Sequence, residues 1–240
     1  RIRGRRIAMI FQDPAASLNP VFTVGSQIVR VVRQHTPVSK EEATRRTLDM
    51  LDAVALPDPR RIFHSYPHEL SGGMQQRIMI AMALACGAEL LIADEPTALD
   101  VTIQAQILAL LADIRHEQGI SILLITHNLG VIAETCDRVA VAYAGQVVES
   151  GRTEDVLFRA GHPYTQGLLA ALPRPDRRRQ ALSSIAGTVP DGLNLPPGCP
   201  FHPRCREAMD VCRVRPAPPA AVEGDGHLVA CHLYGKESQG

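Results

Sequence analysis

The segment Leu90-Leu91-Ile92-Ala93-Asp94-Glu95-Pro96 constrains the fold more than any other part of the chain. Four consecutive apolar residues read as a strand covered on both faces, and such strands belong to parallel sheets flanked by helices. Two acids and a proline end the strand at once, since proline lacks a backbone donor and carboxylates need solvent or a ligand. A second buried run, Ser121-Ile122-Leu123-Leu124-Ile125-Thr126, is followed by His127, and a shorter one, Ile7–Phe11, by Gln12. Helical spacings lie between them: Val24, Ile28, Val31 and Val32; then Leu48, Leu51, Val54 and Ala55 behind a Ser39/Glu42 capping box; then Ile103, Ile107, Leu110, Leu111 and Ile114. Pro57 and Pro59 stop the second of these, and Gly87 stops an Ala-, Met- and Ile-rich helix that begins after Ser71-Gly72-Gly73.

The expected fold is therefore α/β with a parallel sheet, and residues from about 15 to 80 form an inserted helical lobe. A short helix through Ile132 leads to strands at Val139–Tyr143 and, past Gly145, at Gln146–Glu149. After Gly151 the strand signal ends. Pro173 to Arg179 reads as a linker to a tail rich in proline and cysteine.

Hydrophobic residues make up 45% of the 240, enough for a sizeable core. Basic and acidic residues number 25 each, so no net charge draws the chain to nucleic acid or to an anionic membrane. The most apolar stretch, Ile78 to Ala93, is broken by Gly87 and Glu89 and is no membrane span. No secretory leader is read at the start, and Arg1 in place of an initiator methionine reads as a fragment. Of six cysteines, Cys86 and Cys136 read as buried thiols. Cys199, Cys205, Cys212 and Cys231 crowd the tail with the spacing C-x5-C-x6-C-x18-C. Four thiolates can ligate an iron–sulfur cluster or zinc, although the intervals fit no common zinc pattern; four free thiols are the plain alternative.

Ligands of open α/β sheets bind beyond the carboxyl ends of the strands. Asp94 stands there and can hold Mg2+ through water, while Glu95 can orient and deprotonate a water. Ser71 can cap the following helix, and with the Gly72 and Gly73 amides it can face an anion. Gln12 can ligate Mg2+ or a water, and His127 can contact a phosphate. Each has a bland counterpart: a strand end in solvent, a flexible loop before an ordinary helix, a surface glutamine, a turn histidine. Asp100 can be no more than the N-cap of the helix from Val101.

Taken in order, Gln12, Leu70-Ser71-Gly72-Gly73-Met74-Gln75-Gln76-Arg77, Leu90–Pro96, Ala98-Leu99-Asp100 and Ile125-Thr126-His127 resemble the Q-loop, signature, Walker B strand, D-loop and switch histidine of the ATP-binding-cassette (ABC) ATPases. The resemblance implies a RecA-like P-loop NTPase core and binding of ATP with Mg2+. It implies that Glu95 is the general base, that His127 steadies the transition state, and that Gln12 couples Mg2+ to a transmembrane partner. By the same resemblance Asp94 supports Mg2+. Ser71, Gly72, Gly73 and Gln75 belong to the nucleotide site, the first three touching ATP held by an opposite subunit, and Asp100 shapes the dimer seam. The phosphate-binding sequence G-x-x-x-x-G-K-[ST] does not occur. The expectation is an incomplete core lacking its first strands, active in the full-length protein and inactive in these residues alone.

Phe11-Gln12-Asp13-Pro14 through Asn19-Pro20, Gly161-His162-Pro163-Tyr164-Thr165 and Gly198-Cys199-Pro200-Phe201-His202-Pro203-Arg204-Cys205 resemble the dipeptide, oligopeptide and nickel importer branch. That likeness implies an ATPase domain over 1–151 and a C-terminal extension over 152–240. It also implies a [4Fe–4S] cluster on Cys199, Cys205, Cys212 and Cys231. The implied partners are a second, different ATPase, two membrane permeases and, indirectly, an external binding protein, with no nucleic acid. The implied location is the cytoplasmic face of the inner membrane. A non-catalytic scaffold and a soluble ABC protein of DNA repair or translation are the competing readings. The second usually shows coiled coils or paired cassettes, which are absent from this sequence.

Overall fold

The computed structural model describes residues 2–95, 101–172, 184–222 and 226–235. These residues form two compact units, Arg1–Asn128 and Leu129–Gly240.

In the first unit the elements are β1 (Ile7–Ile10), α1 (Pro14–Ser17), α2 (Val24–His35), α3 (Lys40–Ala53), α4 (Pro59–His64), α5 (Gly72–Leu84), β2 (Leu90–Asp94), α6 (Val101–Gln118) and β3 (Ser121–Ile125). The three strands form one parallel sheet in the order β1-β2-β3, with Ile7 opposite Leu90 and Leu90 opposite Ser121. Five helices, α1 to α5, fill the lobe between β1 and β2. α2 buries Val24, Gly25, Ile28, Val29 and Val32, a one-sided stripe suited to packing on α3, α4 and α5. α5 buries Ile78, Met79, Ile80, Ala81 and Leu84, which lie all round it and mark it as the central helix of the unit. Each fully buried aliphatic side chain contributes about 1.5–3 kcal/mol of hydrophobic stabilisation.

Local signals account for most helix ends. Ser71 Oγ accepts from Met74 N, and Gly87, at φ +75°, donates to Leu84 O at 2.9 Å to close α5. Pro59 opens α4 after Asp58, whose side chain caps it. The Ser39 box is half formed. Ser39 Oγ accepts from Glu42 N at 3.2 Å, but the Glu42 carboxylate is taken by Arg45 and Arg46. Those two arginines hold it down to about 2, Arg45 foremost.

Three expectations need correction. The Ser121–Ile125 strand is not buried: Leu123 is 52% and Ile125 is 45% exposed, since no described residue covers that side of β3. Cys86 and Cys136 are half-buried rather than buried, and Cys86 Sγ lies 3.8 Å from Val31 O. Strands also continue past Gly151.

The second unit contains α7 (Leu129–Thr135), β4 (Arg138–Tyr143), β5 (Gln146–Arg152), α8 (Thr153–Phe158), α9 (Pro163–Ala170), α10 (Asp210–Val214), β6 (Ala220–Ala221) and β7 (Leu228–Val229). Its sheet is antiparallel, in the order β4-β5-β7-β6. Ala144 (φ +47°) and Gly145 (φ +76°) make the two-residue hairpin turn between β4 and β5, where both positions must be left-handed. β6 and β7 are two residues each, too short to leave an alternating pattern in the sequence. The core of this unit joins Val141, Tyr143, Val148, Val156 and Phe201, with Cys199 and Cys205 packed against it. The Pro173–Arg179 linker lies outside the described residues.

Leu51, fully buried in α3, is the sharpest test of the lobe's packing. Leu51→Ala is expected to lower stability by about 2–5 kcal/mol in denaturant titration. Val21→Ala, at a residue 71% exposed, is expected to change it by less than about 0.5 kcal/mol.

Candidate active site

Parallel strands all deliver their carboxyl ends to one edge, and three of the residues singled out from sequence meet there. β1 hands on to Gln12, β2 ends in Asp94 and Glu95, and β3 hands on to His127. Glu95 N donates to Ile125 O at 2.9 Å, extending the β2–β3 ladder by one bond. At that residue the backbone turns left-handed (φ +38°), a conformation costly for a side chain with a Cβ and common at functional sites.

The Glu95 carboxylate is fastened at both oxygens. Gln12 Nε2 donates to Oε2 at 2.7 Å, and His127 Nδ1 bonds Oε1. The Glu95 side chain is 24% exposed and that of His127 is 88% exposed, so the carboxylate sits recessed beneath an open imidazole. A carboxylate between an amide donor and an imidazole can take a proton from a water that displaces either partner. Asp94 is half-buried beside it.

Ser71 and Gly72 are exposed at the N-terminus of α5, where the unpaired amides of a helix start favour an anion. A Cβ on Gly73 would lie 3.3 Å from Ile103, so a small residue keeps α5 close to α6. The Gln75 amide donates to Pro67 O at 2.8 Å and Leu70 O at 3.3 Å, fixing the loop that delivers Ser71. That role was not legible from sequence, because the partners are backbone carbonyls of a non-repetitive turn. Asp100 lies outside the described residues.

In the second unit the thiols of Cys199, Cys205, Cys212 and Cys231 are free of disulfides and lie within one another's electrostatic reach. Burial pushes the Cys231 thiol up to about 11, and the three neighbouring thiols add to the rise. Among the described residues no three His, Cys, Asp or Glu side chains form a ready metal-ligating group. The donor set therefore suits a thiophilic metal in kind and not in preset geometry. Loading would require the thiols to lose protons. Sequence reasoning also missed the Glu149 carboxylate, buried in β5 and bonded to His227. It missed Arg204 as well, whose guanidinium donates to Ile185 O, Ala186 O and the Tyr143 hydroxyl.

Comparison with known proteins shows the family. The pattern of the ABC transporter family matches residues 1–98. That of the oligopeptide/dipeptide transporter C-terminal region matches residues 148–212. The dipeptide transport ATP-binding protein DppD of Bacillus subtilis is 49% identical over 239 residues, 99% of this chain and 71% of that protein. The oligopeptide transport ATP-binding protein OppD of Salmonella typhimurium is 51% identical over 231 residues, 96% of this chain and 68% of that one. Among solved structures, the dimeric ATP-binding cassette MJ0796 bound to ADP and Pi aligns with a TM-score of 0.54 at 29% identity, covering 62% of this chain and 64% of that one. The cassette cbiO1 of Clostridium perfringens aligns with a TM-score of 0.57 at 28% identity, covering 63% and 59%. The core thus has the RecA-like fold of the P-loop NTPases, and the chain belongs to the family of ATP-binding subunits of dipeptide and oligopeptide ABC transporters.

Proposed function

We propose that this chain is the ATP-hydrolysing subunit that energises an importer of dipeptides or oligopeptides. The observation that carries the reading is the Glu95 carboxylate, held at the sheet's carboxyl edge by Gln12 and His127. Glu95 acts as the general base toward the water that attacks the γ-phosphate. His127, the exposed partner, steadies the charge that develops, and Gln12 reports occupancy of the site to the membrane partner. Mg2+, supported by Asp94 through water, supplies charge neutralisation at the phosphates when bound.

Ser71, Gly72 and Gly73 form a donor tip that contacts ATP gripped by a second ATPase, and Asp100 contributes to the seam. A helix tip offers a few donors but no phosphate cage, so two half-sites must face each other around the nucleotide. Gln75 acts indirectly, by fixing the loop before Ser71. Dimerisation is supported by the MJ0796 cassette, solved as a dimer with ADP and Pi. The exposed apolar side of the parallel sheet, with Met9 40%, Leu123 52% and Ile125 45% exposed, supports a phosphate-binding loop and its helix packing there in the working enzyme.

A cleft of about 610 Å³ on the helical lobe is lined by Val29 and Phe63 and by the cations Arg30, Arg33 and Lys40, with no acidic residue among its lining. We assign to it a segment of a membrane permease that carries an acidic side chain. No described helix is long and apolar enough to cross a membrane, and the contact at this cleft would hold the subunit to the cytoplasmic side. The four tail thiols would hold an iron–sulfur cluster, which would clip together a tail with little regular structure.

In the full-length subunit with its partners, Glu95→Gln is expected to slow ATP turnover by about 10²–10⁴-fold while ATP still binds. Turnover at the native rate would remove Glu95 from its role. Arg30→Glu with Arg33→Glu is expected to weaken recovery of the permeases with the subunit, and undiminished recovery would contradict the assigned cleft. Protein purified without oxygen is expected to contain iron and acid-labile sulfide; stoichiometric zinc without iron would overturn the cluster.

A further inference from the structure

The second unit contains a buried ionisable cluster for which ATP hydrolysis has no use. Glu149, in β5, is 1% exposed. Its carboxylate accepts three hydrogen bonds, from Gly161 N at 2.7 Å, His162 N at 3.0 Å and His227 Nε2 at 2.8 Å. Burying a carboxylate is costly unless donors surround it, and these three satisfy it. They come from two segments distant in sequence: the turn that opens α9, and the stretch that leads into β7 and on to Cys231. β7 contributes only two residues to the sheet, so the carboxylate is a main fastening of that stretch. Gly161 keeps the junction tight, since a Cβ there would come within 2.8 Å of Val229.

His162 is set up to be neutral. His162 Nδ1 accepts from Tyr164 N at 3.0 Å and so caps α9, which it can do only while that nitrogen carries no proton. Burial pushes its pKa down to about 4, against an opposing pull from Glu149. His227 is 0% exposed and turns Nε2 to Glu149, while its buried Nδ1 has no hydrogen-bond partner among the described residues.

The other ionisable groups nearby offer no relief. Tyr234, in the turn His232–Tyr234, has its phenol pushed up by burial and then by Cys231 and Glu149. Tyr164 in α9 is likewise raised by burial. In α8, Asp155 is paired with Arg159, and in β4, Arg138 donates to Gly226 O at 3.2 Å.

We propose that this cluster is an acid-opened latch: Glu149 fastens the Cys231-bearing segment to β5 and to the start of α9, and a proton on His162 Nδ1 breaks the cap of α9, withdraws the Gly161 and His162 amides from Glu149, and releases that segment with its thiol. While the latch is closed, the Cys231 side chain is half-buried. Opening it makes that thiol available to metal exchange, oxidation or alkylation. The direction in pH follows from His162, whose pKa falls from 6.5 to about 4 on folding. Its contribution to stability is fully present above about 6.5 and is lost as the pH falls from there toward about 4.

Amide hydrogen exchange of the whole chain between pH 7.5 and 5.0, corrected for intrinsic rates, tests the latch. Protection over residues 161–166 and 226–235 is expected to fall together, by about tenfold or more below pH 6, while α2 holds. Glu149→Gln is expected to lose the protection of both stretches already at pH 7.5. His162→Asn, which keeps a cap but takes no proton, is expected to shift the loss to lower pH. Protection that is constant across this range in the unmutated chain, or that is lost over 226–235 without 161–166, would overturn the proposal. The unmutated chain decides the matter even if Glu149→Gln does not fold.

Discussion

The structure of the first unit depends on one constraint: parallel strands end on the same side. β1, β2 and β3 lie in register, so whatever follows each of them in sequence arrives at a common edge. Gln12, Glu95 and His127 are far apart along the chain, yet two hydrogen bonds join them through one carboxylate. The left-handed turn at Glu95 belongs to the same arrangement, and its strain is balanced by the ladder bond to Ile125 and by both side-chain partners.

The helical lobe supplies what the sheet edge lacks. α5 is buried on all sides along most of its length, yet its first residues, Ser71 and Gly72, are exposed. A helix anchored at its core and open at its tip can present amides to an anion without moving. The Gln75 bonds to Pro67 and Leu70 and the Ser71 cap fix the approach to that tip.

Much of this was legible in the sequence where a signal is local. The periodicity of α2, the Ser71 cap, the Gly87 stop and the acids that end β2 each follow from residues a few positions apart. Where the deciding partner is distant, the sequence was silent or misleading. Ser121–Ile125 has the composition of a buried strand, but burial depends on what covers it, and Leu123 and Ile125 face open space. Glu42 looks like half of a capping box until two arginines compete for it. Glu149 sits in an ordinary hairpin strand, and its partner His227 is 78 residues away. The site residues were identified by motif order, and their convergence on one carboxylate became visible only in three dimensions. Asp100 and the Pro173–Arg179 linker fall outside the described residues.

Everything proposed for the site follows from one carboxylate binding Gln12 and His127 at once. Nitrogen-15 spectra of the side-chain amides and imidazoles measure this directly, by comparing the native chain with Glu95→Ala. The account predicts that the Gln12 amide and the His127 imidazole resonances both move, while the Gln75 amide, bonded elsewhere, stays. If either the Gln12 or the His127 signal were unmoved, the three residues would not share a site.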